Sequence, residues 1–135
     1  MTGSAQRPLE LILARNLLST ISTPAFLANQ PGDIVFYNEA AGVVLGRRFE
    51  ESGAMSPHDW VQAFGPIDDD GNPIPVETQP LTLALRRNRP AHAHHRIRSI
   101  DGVQHDVVVA GVPVIGADGF VGAMVFFWVE GENEL

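Results

Sequence analysis

The stretch from Ile97 to Trp128 constrains the fold more than any other part of the chain. It carries two Asp-Gly dipeptides, Asp101-Gly102 and Asp118-Gly119, each set between apolar, β-branched runs. Asp-Gly between such runs is a hairpin signal, because tight turns need a residue that accepts positive φ. Three antiparallel strands joined by two turns follow from it. A three-residue loop Ile100-Asp101-Gly102 sets Ser99 opposite Val103. Counting outward, Arg98 faces Gln104, Ile97 faces His105, Arg96 faces Asp106 and His95 faces Val107. A two-residue loop would instead set Arg96 against Val107. The cross-strand pair Arg96–Asp106 decides for the longer loop. The same rule at Ala117-Asp118-Gly119 pairs Ile115 with Val121, Val112 with Met124, Ala110 with Phe126 and Val109 with Phe127.

Side chains alternate along a strand, so this register sorts them into two faces. One face carries His95, Ile97, His105, Val107, Val109, Val125 and Phe127. The other carries Val108, Ala110, Val112, Met124, Phe126 and Trp128, and turns polar only at the edge with Arg96, Arg98 and Asp106. Both faces of the central strands are apolar, and both need cover.

The rest of the chain supplies that cover. Residues 8–22 read as a helix with two apolar stripes: Leu9, Leu13 and Leu17, and beside them Leu11, Ala14, Leu18 and Ile21. One stripe can pack on the chain's own sheet and leave the other for a partner. Ala25–Ala28 and Ile34–Tyr37 read as strands around the turn Pro31-Gly32-Asp33. Asn38 can cap a helix over Glu39–Leu45 that Gly46 stops. Ser56 and Pro57 start another helix, whose Trp60 and Phe64 point to the core. A loop leads to a last helix over residues 81–88. Helix, two strands, short helices and three strands in that order make an α+β domain with an antiparallel sheet.

Composition narrows the function. A chain of 135 residues with 44% apolar residues suits one core. It has no cysteine, which removes disulfides, thiolate metal sites and cysteine nucleophiles. The net charge of −7 argues against nucleic acid. Arg86, Arg87 and Arg89 are better read as complementing a helix end. No apolar run reaches the length of a membrane span, and the N-terminus lacks the marks of a signal peptide. A cytoplasmic protein without membrane contact is expected.

The segments "PAFLANQPGDIVFYNEAAGVVLG", "GNPIPVETQPLTLALRRNRP" and "IRSIDGVQHDVVVAGVPVIGADGFVGAMV" together resemble a PAS domain, the sensory module of bacterial signalling proteins. The resemblance covers about residues 22–128. It implies a five-stranded antiparallel sheet in the order 2-1-5-4-3. Helices on one face would enclose a small cavity, and an N-terminal helix on the other would serve in dimerisation. The expected division is an N-terminal helix at 1–22, the PAS domain at 23–130 and a tail at 131–135. Val129 stands where many members carry the Asp of an exit motif, and no attached effector is expected. Output by homodimerisation, or through a signalling protein on another chain, is therefore expected. Flavin photosensors of this kind need a cysteine, and haem-binding members typically carry a His on the long core helix. "TQPLTLALRRN" has neither, which disfavours haem and a photoactive flavin.

The candidate ligand-contacting residues are His95, Ile97, His105, Val107 and Val109 on the cavity-side face, with Trp60 and Phe64. The candidate dimer and outer-face residues are Leu11, Leu18, Ile21, Val108, Ala110, Val112, Met124, Phe126 and Trp128. The histidines of "HAHH" at 92–95 with His105 lack the further convergent ligands that a metal needs, so no metal is expected. "DDDG" at 68–71 is too tightly spaced for a calcium loop. Asp59 and Asp106 are the nearest candidates for an enzymic base, the first better read as a helix-start residue and the second as the partner of Arg96. A small enzyme and a ligand-free interaction domain stay as alternatives. A cavity is the feature that separates a sensor from a solid interaction domain.

Overall fold

Five strands pair antiparallel in the order β2-β1-β5-β4-β3. The computed structural model describes residues 9–68, 70–75, 78–87, 89–117 and 119–129. Its elements are α1 (Leu9–Leu18), β1 (Ala25–Asn29), β2 (Ile34–Tyr37), α2 (Glu39–Leu45), α3 (Phe49–Ser52), α4 (Pro57–Phe64), α5 (Pro80–Arg87), β3 (Ala91–Arg98), β4 (Gln104–Gly116) and β5 (Gly119–Val129).

The register of β3 on β4 follows from the turn. Ser99 N–H donates to the Val103 carbonyl at 2.8 Å and Gly102 N–H to the Ser99 carbonyl at 2.9 Å. Gly102 takes φ of 90°, a conformation that costs glycine nothing. Arg96 then lies opposite Asp106, and its Nε reaches the carboxylate at 2.7 Å. The second turn differs from the expectation in detail. Gly116 pairs with Gly119 and Ile115 with Phe120, not Val121, while Val114 pairs with Gly122. The loop is one residue shorter, and Val121 is the extra residue of a bulge that restores the expected register. Val112 still meets Met124, and Ala110 meets Phe126. Asp118 lies outside the described residues.

Two apolar cores flank the sheet. The inner one joins Phe26, Ile34, Tyr37, Leu45, Phe64, Ile97, Val107, Val109, Val125 and Phe127. The outer one joins Leu11, Ala14 and Leu18 of α1 to Ala25, Leu27 and Phe36, with Ile21, Met124 and Phe126 against them. The helix at the N-terminus ends at Leu18 rather than at residue 22. The Ser19 and Thr20 hydroxyls turn back onto the carbonyls of Asn16 and Leu17, each at 2.8 Å, in place of a further helical turn. Pro8 lies outside the described residues.

Buried Asn38 ties the two layers together. Its Oδ1 accepts from Ala41 N–H at 3.0 Å, capping α2, and from Ala25 N–H at 3.1 Å. Its Nδ2 donates to the carbonyls of Leu18 at 3.0 Å and Thr23 at 2.9 Å. One side chain thus fixes the end of α1, the entry to β1 and the start of α2. None of the described helices is long and apolar enough to cross a membrane.

Candidate ligand cavity

Between the inner face of the sheet and helices α4 and α5 lies a cavity of about 300 Å³. Its floor is the sheet: Phe26, Ile34, His95, Ile97, Val107, Val109, Val125 and Phe127. Its walls are Pro57, Trp60 and Val61 of α4 and Pro80, Leu81, Thr82, Leu85 and Arg86 of α5. Gln30, Pro31 and Gly32 from the β1–β2 turn close one side. Gln30, Pro31 and Arg86 are exposed, so the mouth lies between that turn and the end of α5.

Local sequence explains each wall. Ser56 accepts from Asp59 N–H at 3.1 Å and Pro57 opens α4, which fixes the helix so that Trp60 faces inward. Trp60 stacks at a tilt on Phe26, with ring centroids 4.7 Å apart, and Phe64 backs it at 4.9 Å. Helix α5 lies close to the sheet because β4 carries Gly111 beneath it.

Of the residues singled out from sequence, His95, Ile97, Val107, Val109 and Trp60 line the cavity. Two do not. Phe64 is buried in the inner core behind Trp60, where it supports the wall without reaching the void. His105 shares the face, opposite Ile97. It stands beyond the cavity, near the β3–β4 turn. Sheet parity chose the face correctly, but parity says nothing about how far along the strand the void extends. The contributions of Gln30, Pro31, Thr82, Leu85 and Arg86 went unread. They come from a turn and a helix whose placement over the sheet is set by tertiary packing.

His95 is the polar group of the floor. It is 9% exposed, and no hydrogen bond reaches its ring from the described residues. Burial holds its pKa below the ordinary histidine range, and the neighbouring His94 adds to the effect. The ring is therefore neutral near pH 7 and offers one donor and one acceptor. Among the described residues no three of His, Asp and Glu converge. Asp59 sits exposed in the first turn of α4 and Asp106 pairs with Arg96, so neither carboxylate faces the cavity. In the 68–71 turn, Asp68 Oδ1 accepts from Asp70 and Asn72 N–H, each at 2.9 Å. Asp69 lies outside the described residues.

The outer face has a groove of its own. It runs beside Val108, Ala110, Val112 and Trp128, with Pro90, Ala91 and His92. These four outer-face residues are half-buried and lie clear of α1. Of the residues named as dimer or outer-face positions, Leu11, Leu18, Ile21, Met124 and Phe126 lie on the outer side but are taken up by the chain itself rather than left for a partner. All five pack in the outer core between α1 and the chain's own sheet. The stripe left outward is Leu9, Leu13 and Leu17, 64%, 57% and 53% exposed, with Ile12 beside it.

The sheet order and the helices match a set of solved structures. The chain adopts the PAS fold. A PAS domain from a two-component sensor histidine kinase is 15% identical, with a TM-score of 0.61 over 90% of this chain and 97% of that one. The Rhodobacter sphaeroides LOV protein is 13% identical, with a TM-score of 0.70 over 93% of this chain and 70% of that one. The light-state dimer of the fungal blue-light photoreceptor Vivid is 18% identical, with a TM-score of 0.60 over 79% of this chain and 77% of that one. No family model matches the sequence, and no curated protein matches it.

Proposed function

We propose that this protein is a cytoplasmic sensory module that binds a small molecule in the cavity and signals through homodimerisation or through a signalling protein on another chain. The cavity carries this reading. An interaction domain without a ligand has no use for a void of about 300 Å³ floored by a buried histidine, since empty apolar space destabilises a fold. The resemblance to a domain of a sensor histidine kinase supports it. The groove along Val108, Ala110, Val112 and Trp128 supports the dimeric part, together with the exposed leucines of α1. One of the structurally similar proteins is itself a light-state dimer.

Native mass spectrometry of the purified protein tests both parts at once. The expected result is a dimer mass with an excess that corresponds to a bound small molecule, or a mass shift on adding one. A monomer that holds nothing and takes up nothing from a metabolite extract would overturn the proposal.

A further inference from the structure

Among the described residues no carboxylate lines the cavity, in a chain that is rich in them. The sequence holds 16 Asp and Glu against 9 Lys and Arg. Yet among the described residues none that lines the cavity is acidic, while Arg86 stands at its mouth and His95 in its floor. No ion pair ties Arg86 to a carboxylate of the described residues. We infer that the cavity selects a small weak organic acid, with its apolar body inside and its carboxylate at Arg86. This rests on the ligand-binding reading above and deepens it.

The chemistry of each surface leads there. The interior is apolar, with Trp60 and Leu81 among its walls and Phe127 in its floor, so it favours a ring or a short aliphatic chain. The volume of about 300 Å³ lies at the small end of the range for ligand pockets, roughly 300–1,000 Å³. A carboxylate pushed to the floor would lose its hydration. At the mouth it stays partly wet and meets a guanidinium whose planar fork matches its two oxygens. A cationic amine would meet Arg86 with no counter-charge among the described residues that line the cavity. His95, neutral and 9% exposed, can accept a hydrogen bond from a hydroxyl on the ligand body or donate one to a carbonyl, and so would favour either group there.

The test uses three probes that share one apolar body: 3-phenylpropanoate, 3-phenylpropanamide and 3-phenylpropylamine. Each is titrated into the full chain by calorimetry at pH 7.5. The acid should bind about five- to tenfold tighter than the amide, the size of a partly exposed charged hydrogen bond, and the amine no tighter than the amide. Arg86→Gln, a change at an exposed side chain, should erase the preference for the acid. An amide that binds as well as the acid would overturn this inference and leave the ligand-binding reading intact. So would an acid preference that survives in Arg86→Gln. If none of the three binds at millimolar concentration, the inference falls, and the ligand-binding reading falls with it where native mass spectrometry also finds no bound molecule.

Discussion

The backbone of Pro80 lies so close over Gly111 that a Cβ at the glycine would stand 2.7 Å from the proline carbonyl oxygen. Helix α5 therefore rests on β4 with no side chain between them, and Ala84, fully buried, fills the next position. This contact sets the height of the cavity, because the wall formed by Leu81, Thr82 and Leu85 moves with α5. Replacing glycine by alanine in a strand ordinarily stabilises, by restricting the unfolded chain. Here the sign should reverse. Gly111→Ala should lose about 1–3 kcal/mol, the range for overpacking, read as a lower urea midpoint with an unchanged slope. A neutral or stabilised variant would mean that α5 retreats freely and does not fix the cavity.

Asn38 has four backbone partners, in α1, β1, α2 and the segment between α1 and β1. Asn38→Ala removes the cap on Ala41 N–H, leaves the buried Ala25 N–H without its acceptor and takes a donor from the Leu18 and Thr23 carbonyls, at a cost of about 2–4 kcal/mol. Asn38→Asp keeps the acceptor but loses both donated bonds and sets a negative charge against the Leu18 and Thr23 carbonyls. It should be destabilised as well. If the aspartate variant melts like the parent protein, the bonds to α1 carry little of the stability assigned to them.

The fold was legible where local chemistry dictates geometry. The Asp101-Gly102 turn and the Arg96–Asp106 pair were enough to set the β3–β4 ladder. Asn38, Ser56 and the glycine at 46 marked helix ends that the structure reproduces. The single turn of α3 escaped, because four residues carry no periodicity. The choice of which α1 stripe faces the sheet was left open. It resolves only in three dimensions, where Leu11 and Leu18 meet Leu27 and Phe36 and the Arg15 guanidinium lies 4.5 Å over the Phe36 ring. The cavity was legible by face but not by extent, as His105 shows.

His95 gives the fold a pH dependence of definite sign. Burial lowers its pKa from the ordinary 6.5, so the unfolded chain binds more protons than the folded one as pH falls below that value. Stability then rises with pH through this window and is lost on acidification. Thermal melts at falling pH should show a decline beginning near pH 6.5 that His95→Gln reduces. An identical profile in the variant would assign the acid loss to other groups. Asp101 does not account for this window. The Ser99 hydroxyl that donates to its carboxylate holds its pKa below the ordinary 3.8, so any loss through that group comes at far lower pH.

The dimer reading can be separated from simple damage to the fold by two leucines of the same helix. Leu13 is 57% exposed and belongs to the outward stripe, whereas Leu11 is 6% exposed and packs under α1. Leu13→Glu keeps a good helix former and leaves the chain's own core untouched. In a two-fold dimer each substitution counts twice. Burying a large apolar side chain is worth about 1.5–3 kcal/mol, so removing two should weaken association by at least roughly a hundredfold. Sedimentation equilibrium at micromolar concentration should show Leu13→Glu as a folded monomer with the parent's melting temperature. Leu11→Glu should instead melt early or aggregate, because its charge falls between the helix and the sheet. If Leu13→Glu sediments as a dimer like the parent protein, the α1 stripe is not the interface. If the parent is itself monomeric at that concentration, the exposed leucines do not serve self-association.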